Sequence, residues 1–183
     1  MLNLPNILTL LRVVMIPLFV AAFLTGGISD WITLALFALA AITDALDGYI
    51  ARKQNLVTDF GKLMDPLADK LMVMAAFVCF TYAGLLHPAV TIIIMSREFL
   101  VTGVRMLATS KGKVIAADIW GKLKTVFQDI AIILILIKSA TGSPDASLIG
   151  TVTYFCNWIM TVLTVTSAIN YCIKNKDIFR EKE

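Results

Sequence analysis

Histidine and cysteine, the residues that most often ligate transition metals or act as nucleophiles, are scarce in this sequence. It contains one histidine, His87, and three cysteines among 183 residues. An odd number of cysteines, all within or at the ends of apolar segments, favours buried thiols over a disulfide framework. The sequence also lacks a glycine-rich phosphate loop and a serine-nucleophile motif. Mechanisms that need a histidine base or a thiolate site are therefore disfavoured, and His87, beside Pro88, is expected at the surface.

Charge is scarce as well. Lys, Arg, Asp and Glu make up 16% of the residues, against about 25% in ordinary soluble domains, and the mean hydropathy is +0.83. A helix needs about 20 apolar residues to cross about 30 Å of hydrocarbon, because each residue rises 1.5 Å. We therefore predict an all-α integral membrane protein. Its single domain, residues 1–183, is predicted to form one bundle of six transmembrane helices near 7–25, 31–50, 66–86, 89–108, 118–137 and 148–172.

The basic residues of the predicted loops indicate an orientation. The loops on one side, between helices one and two, three and four, and five and six, contain only Lys138. By the positive-inside rule the other side, with both termini, is cytoplasmic. Anionic lipid headgroups account for the net charge of +3 without any nucleic acid. The cytoplasmic basic residues are Arg52, Lys53, Lys62, Lys111, Lys113, Lys174, Lys176, Arg180 and Lys182.

Four aspartates stand out within the apolar segments. Asp44 and Asp47 are three residues apart, and Asp65 and Asp69 are four apart, so each pair shares a helix face. Ionised side chains inside a membrane are costly and usually functional. Two facing helices can direct all four carboxylates to one point, where they suit hard cations such as Mg²⁺ or Mn²⁺ and number enough for two ions. The alternative is that these aspartates form packing ion pairs with nearby lysine or arginine.

Small residues accompany the aspartates. Gly48 and Ala51 share the face of Asp44, where they either let a ligand approach or let helices pack closely. Gly61 has the same two interpretations. Arg52 either holds a phosphate or flanks the membrane.

Cationic side chains of the fourth and fifth helices form a second candidate site, which contains Arg97, Arg105, Lys122 and Lys124. Arg97 lies well inside its helix and needs a partner or a wet cavity. The adjacent Glu98 is rotated by about 100° around the helix, so we do not expect it to pair with Arg97. A basic pocket beside the carboxylates predicts a second, phosphorylated substrate. The sixth helix has no charge and is expected to pack or to face lipid.

The pattern of aspartates and small residues resembles the signature of the CDP-alcohol phosphatidyltransferase family, and every fixed position of that signature is present. It reads Asp44-x2-Asp47-Gly48-x2-Ala51-Arg52-x8-Gly61-x3-Asp65-x3-Asp69. Three further segments, 3–12, 96–99 and 121–125, resemble the bacterial phosphatidylglycerophosphate synthases of that family.

The resemblance implies that CDP-diacylglycerol and sn-glycerol 3-phosphate react to give phosphatidylglycerol phosphate and CMP. It implies a homodimer in the bacterial cytoplasmic membrane, with the site facing the cytoplasm. It also implies that Asp69 is the general base. The metal ligands would be Asp44, Asp47, Asp65 and Asp69, and the CDP-lipid would lie at Gly48, Ala51, Arg52 and Gly61.

Two alternatives stay open. The acceptor of the same reaction could be inositol phosphate or serine, although a basic pocket anticipates a phosphate that serine lacks. A divalent-cation transporter could use the same carboxylates. Transporters often show internal repeats and polar groups on both sides of the midplane, whereas here the charges concentrate on one side and no repeat is evident.

Overall fold

The computed structural model describes residues 4–26, 29–54, 59–111 and 119–176. Side chains are described at 7–26, 30–44, 67–68, 70–111 and 119–176. The secondary structure of these residues is helical, with no strand among them. Six helices follow in chain order: α1 (Leu4–Thr25), α2 (Ser29–Gln54), α3 (Asp59–Tyr82), α4 (Pro88–Ser110), α5 (Ile119–Thr141) and α6 (Leu148–Lys174).

The predicted number and order of the helices are confirmed, but several boundaries differ by three residues or more, most of all the start of α3. Helix α2 continues to Gln54, and α3 begins at Asp59 instead of near residue 66. Hydropathy ends a segment where the apolar run ends, whereas helix formation tolerates charged residues readily. Within the described chain, Ile7–Thr25 and Leu148–Lys174 are long and apolar enough to cross a membrane.

Short connections make neighbouring helices antiparallel. Helix α1 packs against α2 and α3, α5 packs against α2 and α6, and α4 packs against α6 and α3. Gly84 and Gly142 follow α3 and α5 with φ of 71° and 59°, the left-handed conformation in which glycine commonly ends a helix.

Large apolar side chains fill one level of the bundle. The ring centroids of Phe19 and Phe37 lie 6.3 Å apart, and Phe77 meets Phe80 edge to face at 6.3 Å. All four rings are buried. We call this level the apolar layer, formed by Phe19, Phe37, Phe77, Phe80, Ile132, Ile135 and Met160.

Candidate functional site

Charged side chains occupy the next level of the bundle, towards the end that carries the signature. Arg12 precedes Phe19 by seven residues on α1, and Asp44 follows Phe37 by seven residues on the antiparallel α2. Seven helical residues span about 10 Å, so both side chains lie at one depth. We call this level the charged layer, formed by Arg12, Asp44, Arg97, Glu98, Lys124 and Asp129.

Arg12 holds the first aspartate of the signature. Its side chain is 1% exposed, and Nη1 lies 2.8 Å from Oδ1 of Asp44. The Asp44 side chain is 45% exposed. The carboxylate is therefore held by a buried guanidinium on one side and accessible to a ligand on the other. Arg12 was not among the predicted site residues, although it ends the segment 3–12 that carried part of the resemblance.

A cavity of about 60 Å³ lies behind this ion pair. Arg12, Asp44 and Asp129 line it together with apolar side chains that include Phe37 and Met72. Asp129 comes from α5, five residues after Lys124, and it is close enough to Lys124 for the two charges to interact. Asp129 therefore links the aspartate end of the charged layer to its cationic end.

The cationic end is a cluster of four side chains from three helices. Arg97 Nη1 lies 3.1 Å from Glu98 Oε1, and Arg97 Nη2 donates to Ser167 Oγ at 2.8 Å. Lys124, which is 2% exposed, donates to the same Glu98 oxygen. Asp129 is also close enough to Lys124 for their charges to interact, and Lys70 is close enough to Glu98. Three cations thus face two carboxylates, and this region keeps one excess positive charge.

The expectation that Glu98 does not pair with Arg97 is wrong. The angle of about 100° separates the directions in which the two side chains leave the helix, but both chains are long enough to curve towards each other. Helix α6, expected only to pack or to face lipid, also supplies the hydroxyl of Ser167 to this cluster.

The other two predicted cations lie apart from the cluster. Arg105 is exposed, and its guanidinium lies 6.0 Å from the centre of the Tyr171 ring. Lys122 is exposed, two residues from the buried Lys124. Of the four predicted acceptor-binding residues, the structure therefore brings Arg97 and Lys124 together.

Helix α3 is tied to the cationic cluster by Lys70, which follows the last signature aspartate. Its ammonium donates to Thr102 on α4, and it is close enough to Glu98 for their charges to interact. The chain position next to Asp69 is thereby held against the helix that carries Arg97.

The remaining signature residues lie within α2 and α3, but their side chains are outside the described residues. They are Asp47, Gly48, Ala51, Arg52, Gly61, Asp65 and Asp69. Among the side chains that are described, no three of His, Cys, Asp or Glu gather at one point. The signature donors are all carboxylate oxygens, and the one that is described, Asp44, is accessible; both features fit a hard divalent cation.

The expectation for histidine is confirmed, and that for cysteine in part: Cys79 is buried, whereas Cys156 and Cys172 are partly exposed. His87 is exposed and caps the N-terminus of α4, where its Nδ1 accepts a hydrogen bond from the Ala89 backbone at 3.2 Å. The three cysteines are free thiols. Neither residue type contributes to the charged layer.

Comparison with known proteins identifies the family. A model of the CDP-alcohol phosphatidyltransferase family matches residues 2–167. The chain belongs to this family. The CDP-alcohol phosphatidyltransferase resemblance seen in the signature is thereby confirmed, and with it the enzyme class.

Individual CDP-alcohol phosphatidyltransferases resemble the chain over most of its length. A Bacillus subtilis protein named CDP-diacylglycerol–glycerol-3-phosphate 3-phosphatidyltransferase is 39% identical over 96% of both chains. A Rickettsia felis protein of the same name is 38% identical over 92% of this chain and 93% of its own. A probable phosphatidylglycerophosphate synthase of Mycobacterium tuberculosis is 43% identical over 71% of this chain and 64% of its own.

Proposed function

We propose that this protein transfers the phosphatidyl group of CDP-diacylglycerol to sn-glycerol 3-phosphate and releases CMP. The observation that carries the proposal is the similarity, over nearly the whole chain, to relatives named for that reaction. The charged layer supports it, because buried cations and an accessible signature aspartate lie at one depth in the bundle.

The reaction breaks the phosphoanhydride bond of CDP-diacylglycerol and forms a phosphoester bond. An acceptor hydroxyl oxygen forms a bond to the phosphorus that carries the diacylglycerol, and the bond from that phosphorus to the CMP oxygen breaks. Asp69 takes the hydroxyl proton, and CMP leaves with the electron pair of the broken bond. Gly48, Ala51, Arg52 and Gly61 accommodate the CDP-lipid in this proposal.

The proposed metal ligands are Asp44, Asp47, Asp65 and Asp69, with two ions of Mg²⁺ or Mn²⁺. When bound, the ions supply positive charge against the pyrophosphate and the departing phosphate. Arg12 keeps Asp44 in one orientation, because its guanidinium is buried and has little freedom to move. The carboxylate is thus placed before a ligand arrives.

The acceptor phosphate lies at the cationic cluster in this proposal. Arg97, Lys124 and the neighbouring Lys70 carry three positive charges against the two negative charges of Glu98 and Asp129. Ser167 orients Arg97 through its second amino group. A phosphate dianion therefore gains attraction there that serine would not. Arg105 and Lys122 are exposed and attract the acceptor electrostatically from outside the cluster.

The proposal includes six membrane spans, cytoplasmic termini and a site that faces the cytoplasm, supported by the distribution of basic residues in the loops. It also includes a homodimer in the bacterial cytoplasmic membrane. Reporter fusions at the C-terminus test the orientation, and the mass of the purified protein in detergent tests the dimer.

The decisive experiment is CMP release by purified protein from CDP-diacylglycerol. Reactions contain Mg²⁺ or Mn²⁺ and one acceptor each: glycerol 3-phosphate, inositol phosphate or serine. We expect turnover with glycerol 3-phosphate only, abolished by a chelator and by Asp69→Asn. Turnover with inositol phosphate but not glycerol 3-phosphate would contradict the acceptor assignment. Metal uptake into sealed vesicles without CMP release would contradict the reaction itself.

A further inference from the structure

Gly121, the third residue of α5, lies beside the guanidinium that the proposed function assigns to the acceptor phosphate. A Cβ atom added to Gly121 would lie 3.5 Å from Arg97 Nη2. Apart from the backbone of its own helix and its chain neighbours, no other atom of the described residues would lie within 4 Å of that Cβ. The space in front of Gly121 therefore borders Arg97 and is otherwise open.

The backbone does not require a glycine at this position. Gly84 and Gly142 have positive φ, which disfavours any other residue, whereas Gly121 does not. Alanine is the better helix former. Glycine at position 121 therefore lowers the helix propensity of α5 without a conformational reason.

Helix packing does not require a glycine there either. Gly150 is an example of a glycine that packing does require, because a Cβ atom on it would lie 2.4 Å from the Asp145 carbonyl oxygen. At Gly121 the one neighbouring atom is the end of a side chain, Arg97 Nη2, at an ordinary contact distance. The missing side chain thus leaves space that no other helix fills.

Arg97 has donor capacity next to this space. A guanidinium carries five N–H groups, and the described residues accept from two of its atoms, Glu98 from Nη1 and Ser167 from Nη2. Nη2 has a second hydrogen that no described residue accepts, and Nη2 is the atom nearest to the space in front of Gly121. An anion that enters this space therefore meets an unused donor in a region with one excess positive charge.

We propose that Gly121 keeps open the approach by which the acceptor phosphate reaches Arg97 Nη2. The inference rests on the proposed function, because it takes Arg97 as a ligand of that phosphate. A phosphate oxygen bound to a guanidinium lies about 2.8 Å from its nitrogen, and a side chain at position 121 occupies the same side of Nη2. Gly121 thus sets the affinity for the acceptor and takes no part in the chemical step.

The variants Gly121→Ala and Gly121→Leu test the proposal through CMP release by the purified protein. Loss of one charge-assisted hydrogen bond corresponds to a rise of about tenfold in the KM for glycerol 3-phosphate, and we expect this for Gly121→Ala. Gly121→Leu should raise that KM further. The KM for CDP-diacylglycerol and kcat should change little, because the CDP-lipid and the proton acceptor lie elsewhere in the proposed site.

Thermal unfolding separates this effect from damage to the fold. Gly121→Ala should unfold at the same temperature as the parent protein or at a higher one, because alanine favours the helix. Weaker acceptor binding without loss of stability is therefore the expected result. If Gly121→Ala does not fold, the glycine serves packing and the proposal is overturned. If only Gly121→Leu fails to fold, Gly121→Ala decides alone.

Gly103 provides the matched control. It is an exposed glycine of α4, and a Cβ atom added to it would have no neighbour within 4 Å. Gly103→Ala and Gly103→Leu make the same chemical changes away from Arg97, so both should leave the KM for glycerol 3-phosphate unchanged. An equal rise in the Gly103 and Gly121 variants would overturn the proposal.

Inorganic phosphate shows which part of the acceptor Gly121 affects. It should compete with glycerol 3-phosphate, and its inhibition constant should rise in Gly121→Ala by the same factor as the KM. A raised KM with an unchanged inhibition constant would overturn the proposal, since the added side chain would then meet another part of the acceptor.

The parent protein separates failure of this inference from failure of the proposed function. If the parent releases CMP with glycerol 3-phosphate and both Gly121 variants keep its KM, the inference alone is wrong. If the parent does not release CMP with glycerol 3-phosphate, the proposed function is wrong and the inference falls with it.

Discussion

The charged layer and the apolar layer share helices α1, α2 and α5, and on α1 and α2 their members lie seven residues apart, yet different interactions hold them. In the apolar layer Phe77 and Phe80 gain free energy simply by contact with their neighbours. In the charged layer each buried ion is costly unless a partner neutralises it, and Glu98 serves two cations at once. In the apolar layer, removing a side chain is expected to lower the free energy of unfolding in proportion to the size of that side chain. In the charged layer, stability depends on a few shared partners. We therefore expect residues of the apolar layer to affect stability, and residues of the charged layer to affect ligand binding as well.

The largest effect expected from this comparison is that of Glu98→Leu. The substitution leaves Arg97 and Lys124 buried without their shared carboxylate, and breaking a buried pair costs about 3–5 kcal/mol. Thermal unfolding in detergent measures the loss. Glu98→Gln keeps the shape and hydrogen-bonding capacity and should lose less. If both variants unfold at the temperature of the parent protein, the charged layer does not depend on Glu98.

A comparable loss of stability, without a loss of function, is expected from Phe80→Ala. The ring is fully buried, and its removal leaves a cavity that costs about 3–5 kcal/mol. Because Phe80 belongs to the apolar layer, CMP release per folded molecule should stay near that of the parent at low temperature. Val78→Ala, on an exposed face of the same helix, is the control and should change stability little. A selective loss of turnover in Phe80→Ala would mean that the two layers are coupled.

The difference between the layers also explains what the sequence could predict. Apolar runs of about 20 residues located all six helices, because hydrophobic length reports directly on burial or membrane contact. The end of α2 and the start of α3 could not be located this way, since residues 51–54 and 59–65 include charged and polar side chains and are still helical. Motif spacing pointed to Asp44, but not to Arg12, because only the packing of α1 on α2 brings that pair together.

Ser167 could not have been selected from the sequence. Helix α6 contains many hydroxyl residues, and Thr153, Thr161 and Thr164 donate to carbonyls of their own helix. Ser167 instead accepts from Arg97. Nothing in the spacing of these residues separates the one that serves another helix from those that serve their own.

Arg12→Ala tests whether the charged layer positions a metal ligand. Losing the partner that orients a ligand typically lowers metal affinity about 10–100-fold, so the Mg²⁺ concentration for half-maximal CMP release should rise by that factor. Calorimetric titration with Mn²⁺ gives the same quantity without turnover. Arg12→Lys keeps the charge but not the planar fork, and we expect an intermediate value. Tighter Mn²⁺ binding by Arg12→Ala would show instead that Arg12 acts as a charge competing with the metal.

The smallest of these effects is expected from Ser167→Ala. Its control variant separates the loss of one hydrogen bond from a general change in helix packing. The variant leaves Arg97 Nη2 without its acceptor, while Nη1 still contacts Glu98. A hydrogen bond of about 1 kcal/mol corresponds to about a fivefold rise in the KM for glycerol 3-phosphate, with kcat and metal dependence little changed. Thr164→Ala removes a buried hydroxyl that serves only its own helix, so it should leave KM unchanged. If both variants raise KM equally, the effect comes from altered packing of α6, and Arg97 does not need Ser167 to bind the acceptor.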